Sequence, residues 1–139
     1  MELRFTIDEM HAFLTEVFPQ QTGRFEVLEM EPYFVRVRTT AADADLRPGG
    51  TVSGPTIFAL ADVSFYIATL AMIGREALTV TTSCSIDFMR KPQPGPLLGE
   101  ARILKLGRSL SVGDVLIYSN GQAGPIARAS LTYSIPPGR

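Results

Sequence analysis

The sequence predicts an α+β fold in which an antiparallel sheet wraps around one long central helix, with an extra helix ahead of it. Three observations predict it. Residues from about 55 to 73 form an apolar run that opens on Pro55 and stops at Gly74, and a helix apolar nearly all the way round must be covered by other protein. Four strand-like runs follow, Leu78 to Met89, Leu97 to Leu106, Leu110 to Tyr118 and Pro125 to Ile135, separated by turns such as KPQPGP and SNGQAG, which fits a sheet as the wrapper. Ahead of the helix, Phe25, Val27, Phe34, Val35 and Val37 interleave with charged residues at the period of a strand.

In chain order, FTIDEMHAFLTEVFP (residues 5–19) sets Ile7, Met10, Phe13, Leu14 and Val17 at helical spacing. Thr6 as N-cap and Glu9 three residues later make a capping box, so a helix is expected over 6–18. Arg24 to Thr40 reads as a hairpin or as one long strand kinked at Pro32. AADADLRPGGTVSG (41–54) is a loop by its Gly, Pro and Asp content. The short spacing of the four later runs predicts an antiparallel meander, and residues 1–139 are expected to form a single domain.

Composition narrows the function. Hydrophobic residues at 45% and charged residues at 19% are those of a folded globular chain. Thirteen Lys plus Arg against fourteen Asp plus Glu leave a net charge of −1, which argues against nucleic acid as the main partner but not against an anionic small ligand. Cys84 is the single cysteine, so no internal disulfide forms, and MELRFTIDEM lacks the basic and apolar stretches of a leader; a cytoplasmic location is expected. The long apolar run nears membrane-spanning length, but Asp62, Thr56, Ser64 and Thr69 interrupt it, so a buried helix and no membrane partner are expected. The only histidine, His11, has no Cys or second His at ligand spacing, and no Gly-rich phosphate loop is present; neither a metal nor a nucleotide cofactor is expected.

SGPTIFALAD (53–62) holds the chemistry. Burying an unpaired carboxylate costs several kcal/mol, so Asp62 is either satisfied by nearby Ser and Thr hydroxyls or kept for reaction. Gly54 enters the helix where amides are unpaired and the dipole is positive. Its N–H can polarise a carbonyl, or the glycine serves turn geometry alone. Ser53 is either the N-cap or a substrate contact.

SGPTIFALADVSFYIA, SCSIDFMRKP and GRSLSVGDVLIYS, in this order, resemble the hotdog-fold acyl-CoA thioesterases of the phenylacetic-acid-degradation type, over roughly residues 25–135. The resemblance implies that two protomers join their sheets edge to edge as a homodimer or a dimer of dimers, with active sites at the interface. It implies hydrolysis of an acyl thioester of coenzyme A, or of acyl carrier protein, to free acid and thiol. Asp62 would be nucleophile or general base, Gly54 the oxyanion contact, and Thr81, with Thr82 and Ser83 beside it, the hydroxyl that orients water. Arg90, Lys91 and Arg108, with Ser109, stand where the family holds coenzyme A phosphates, although basic residues at turns are commonly only solvated. Two positions depart from the family's pattern. Ser53 replaces the His of a His-Gly-Gly turn, and Arg47 replaces an Asn that helps place the thioester. These departures keep a second reading open, a dimer that binds an acyl thioester without cleaving it. A hydratase or dehydratase on the same fold needs a catalytic His with an acidic partner, and His11 is in the wrong segment. Phe58, Phe65 and Tyr66 are expected in the core or the dimer seam, and Cys84 as inert core.

Overall fold

The computed structural model describes residues 2–93 and 95–138; Met1, Arg139 and Pro94 of the KPQPGP turn lie outside them. Helix α1 (Ile7–Val17) begins with both halves of the expected capping box, Thr6 N–H to Glu9 Oε1 at 2.8 Å and Glu9 N–H to Thr6 Oγ1 at 3.1 Å. It buries Met10 and Phe13. A 3₁₀ turn at Pro19–Gln21 then leads into β1 (Phe25–Glu31) and β2 (Phe34–Thr40), which pair antiparallel. Of the two readings of this segment the hairpin is the one formed, reversing at Tyr33, whose φ is +68°.

Helix α2 (Gly54–Ile73) has Ser53 as N-cap, Pro55 in its first turn and Gly74 at its C-cap with φ +97°. It is long and apolar enough to cross a membrane, yet 78% of its apolar window is buried inside the protein. Four strands follow: β3 (Val80–Phe88), β4 (Pro96–Leu106), β5 (Leu110–Ser119) and β6 (Ala127–Ser134). The six strands form one antiparallel sheet in the order β1-β2-β4-β5-β6-β3. Together with α2 packed on it, this is a hotdog fold.

The expected simple meander needs correction. β4, β5 and β6 do form one, but β3 lies at the far edge and pairs only with β6. The place beside β2 is taken by β4, from Phe34↔Arg102 to Thr40↔Pro96. The chain between β2 and β3 is committed to α2, which crosses the sheet and delivers β3 to the opposite edge.

The core forms where α2 meets the sheet: Leu60, Phe65 and Leu70 are buried together with Val35, Val37, Leu97, Ile117 and Leu131. Close approach requires glycine at Gly113, where a Cβ would stand 2.1 Å from the Arg102 carbonyl oxygen and 2.5 Å from the Phe65 ring. Phe65 and Tyr66 are buried as expected. Phe58 is 37% exposed and Cys84 half-buried, so neither belongs to the sealed core.

Candidate active site

Asp62 sits in the third turn of α2, half-buried, on the wall of a cavity of about 660 Å³. Its Oδ1 accepts the Thr81 hydroxyl at 2.6 Å and lies 2.7 Å from Tyr133 Oη. The Tyr133 oxygen is also 2.9 Å from the Asp62 carbonyl, so its one proton is shared between two acceptors of the same residue. Oδ2 accepts no hydrogen bond from any described residue. One carboxylate oxygen is therefore anchored while the other is left as an acceptor.

The sheet register produces this convergence. Thr81 on β3 is paired directly with Tyr133 on β6, and the ladder shifts between Thr81 and Ser83. The extra residue turns the Thr82 hydroxyl to the Thr132 carbonyl, at 3.1 Å, and sends Thr81 to Asp62. Of the three neighbouring hydroxyls, Thr81 is the one that reaches the carboxylate. Burial, then the charge of Asp62, pushes the Tyr133 hydroxyl far above its ordinary 10.0, so it remains a donor at every working pH. The Cys84 thiol is likewise raised by burial first and by Asp62 second.

At the start of α2, Ser53 Oγ lies 3.4 Å from the Thr56 N–H and 3.0 Å from Thr56 Oγ1. Thr56 Oγ1 in turn donates to Asp45 Oδ1 at 3.0 Å, and the Ser53 N–H donates to the Asp45 carbonyl at 2.8 Å. Asp45, buried at 8% exposure, also takes Arg24 Nη2 at 2.7 Å and the Ala42 N–H at 2.8 Å. The Arg24 bond is the main cause holding its pKa below the ordinary 3.8, aided by Ala42 and Thr56 against burial. Ser53 is thus committed as a cap in a network that fixes the helix entrance. Pro55 has no N–H, so among the described residues the Gly54 amide is the unpaired donor of this first turn. A Cβ on Gly54 would sit 3.5 Å from the Phe88 ring, which puts this end of α2 beside the end of β3.

The other expected contacts spread out. Arg47 is exposed in a tight turn, its N–H bonded to the Thr51 carbonyl. Arg90 donates to the Pro125 carbonyl and lies over Gly124, tying the end of β3 to the β5–β6 connection. Lys91 is exposed, with its carbonyl accepting from Gln122; Arg108 and Ser109 are exposed at the β4–β5 turn, where the Ser109 carbonyl accepts the Ile135 N–H. Arg90 and Lys91 are adjacent, whereas the β4–β5 turn is a separate part of the surface.

Sequence reasoning missed Tyr133, Asp45 and Arg24, and set His11 aside. Tyr133 had one available signal: a tyrosine alternating inward on a strand needs a partner for its hydroxyl. Asp45 is one of two Asp in a loop, and nothing in ADAD marks it as a buried partner for Arg24. His11 lines the same cavity as Asp62.

Residues 49–126 match the family model described as the Thioesterase superfamily. The chain belongs to the thioesterase superfamily. Among solved structures, it is 56% identical to a candidate thioesterase from a Silicibacter species, with TM-score 0.91 over 99% of this chain and 96% of that one. It is 25% identical to a variant of the phenylacetic acid degradation protein PaaI from Thermus thermophilus, with TM-score 0.72 over 85% and 99% of the two chains. Zebra fish thioesterase superfamily member 2, at 21% identity, shares the fold with TM-score 0.82 over 95% and 99%. No curated protein matches the chain. Family membership supports thioester hydrolysis as the general activity.

Proposed function

We propose that the chain hydrolyses an acyl thioester, of coenzyme A or of acyl carrier protein, at a site completed by a second copy. The observation that carries the reading is Asp62: a carboxylate fixed through one oxygen by Thr81 and Tyr133 while it lines an open cavity. As general base it takes a proton from water, whose oxygen attacks the thioester carbonyl. As nucleophile it attacks that carbon itself, giving an anhydride that water then opens. In both routes the carbonyl oxygen gains negative charge, the C–S bond breaks and the thiolate leaves to be protonated. The Gly54 N–H is suited to that oxyanion, a contact worth roughly 3–4 kcal/mol in enzymes that use one.

The need for a second copy follows from distance. Gly54 and Asp62 are about 12 Å apart along α2 at about 1.5 Å per residue, too far to meet on one carbonyl. β3 supplies the remedy. Asp62 touches Thr81 near one end of this strand, and Gly54 lies beside Phe88 at the other. Antiparallel pairing of two β3 edges about a twofold axis sets the Thr81 end of one copy against the Phe88 end of its mate. Of the two sheet edges, β1 carries Glu26, Glu29 and Glu31 and a register shift, devices that discourage pairing. β3 exposes Val80 at 56% and Phe88 at 54%, and its one charge, Asp87, is paired with Arg128.

Release of free thiol from a panel of acyl-CoAs by wild type, and its loss in Asp62→Asn, tests the reading. A second reading is favoured by Ser53, whose hydroxyl is spent on capping: a dimer that binds acyl thioesters without cleaving them. Melting shifts with acyl-CoA, and no thiol release from either acyl-CoA or acyl carrier protein thioesters, would establish it.

A further inference from the structure

The cavity that Asp62 lines is closed on its far side by α1, the 3₁₀ turn and the start of β1. Leu14, Phe18, Phe25, Ala59 and Val63 supply apolar wall, and about 660 Å³ lies within the range of small-ligand pockets. The polar groups of this wall are largely engaged elsewhere. Arg24 is paired with Asp45, Glu26 with Arg38, and the Thr22 hydroxyl with the Pro19 carbonyl. Thr15, Gln20 and Gln21 are exposed.

His11 differs from all of these. It is half-buried, and its Nε2 accepts the Val27 backbone N–H at 2.9 Å. With that lone pair engaged, the neutral ring must carry its proton on Nδ1, and no described residue accepts it. The backbone of β1 thus fixes the tautomer and leaves the Nδ1–H without a protein partner, on a residue that lines the same cavity as the candidate catalytic carboxylate.

We infer that this cavity receives the acyl group and that His11 selects acyl chains bearing an acceptor oxygen, a hydroxy- or oxo-acyl thioester. The inference rests on the thioesterase reading and names its substrate class. A hydroxyl or oxo oxygen accepts the Nδ1–H, whereas a plain alkyl chain leaves that donor without a partner, which is how a polar group in a pocket discriminates.

The experiment compares octanoyl-CoA with a set of hydroxyoctanoyl-CoAs that differ in hydroxyl position, on wild type, His11→Phe and His11→Gln, by thiol release. Wild type is expected to favour at least one hydroxylated isomer by about tenfold in kcat/KM, the scale of one neutral hydrogen bond. His11→Phe brings that ratio to about one. His11→Gln, which can still accept from Val27 and donate into the cavity, keeps part of it. A loss of folding or of general activity would not by itself change a ratio between two substrates. Hydrolysis of every substrate without preference, or a preference that His11→Phe leaves intact, overturns the inference and spares the thioesterase reading. Failure of wild type to release thiol from any acyl-CoA and from the matching acyl carrier protein thioesters overturns both.

Discussion

Thr81 stands directly opposite Tyr133 in the β3–β6 ladder, and the two side chains end on the same oxygen of Asp62, at 2.6 and 2.7 Å. Two hydroxyls from different strands therefore hold a helical carboxylate in one rotamer. Such hydrogen bonds to a charged group contribute about 1.5–3 kcal/mol each. Tyr133→Phe keeps the ring and removes the hydroxyl, so kcat is expected to fall roughly ten- to hundredfold. Thr81→Val should do the same, and the double variant should lose less than the product of the two, because the two hydroxyls orient one carboxylate as a unit and losing either already frees it. Strictly multiplicative losses in steady-state thiol release would show that the two act independently.

Asp45 gives a pH signature. Its folded pKa is held below 3.8, mainly by Arg24, so its contribution to stability is present above the unfolded value. It is lost as pH falls from there through the lower folded value. Asp45→Asn is expected to cost about 2–3 kcal/mol at neutral pH, since Arg24 then lacks its anion. The decisive measurement is the urea midpoint against pH: the variant should lose less than wild type over this acid window, and parallel curves would contradict the assignment.

Two glycines separate packing from backbone freedom. Gly113→Ala forces a Cβ against the Arg102 carbonyl and the Phe65 ring, neither of which can yield cheaply, and should cost about 3 kcal/mol or more. At Gly107 the nearest atom to a new Cβ is the Leu110 carbonyl oxygen at 3.6 Å, an ordinary contact. Gly107→Ala should stay within about 0.5 kcal/mol of wild type in chemical denaturation. Similar losses at both sites would mean that close approach is not what Gly113 provides.

What could be read from the sequence was local and periodic. The Thr6–Glu9 capping box, the largely apolar run from Pro55 to Ile73 and the alternating strands each depend on neighbours in the chain. The place of β3 does not, because strand order is decided by how α2 crosses the sheet, and no short-range pattern encodes that. The site divides in the same way. Asp62 stands out because an acid in an apolar helix needs a reason, and Gly54 because Pro55 marks the helix start. Tyr133 lies 71 residues from Asp62, and only the register of β3 against β6 joins them.

A site shared between two copies makes a prediction that no single-chain site makes. Asp62→Asn removes the carboxylate and keeps the Gly54 amide; Gly54→Pro removes that N–H and keeps the carboxylate. Proline suits the first helical position, Ser53 before it is already extended at ψ 154°, and the space beside Phe88 admits a Cβ. Each variant alone should be nearly inactive. In a mixed dimer, the intact Gly54 of one copy faces the intact Asp62 of the other, so one of the two sites is whole. Heterodimers isolated with two affinity tags should therefore recover about half the activity of a wild-type dimer. Heterodimers that form and stay as inactive as their parents would show that Gly54 and Asp62 do not work across the β3 edge.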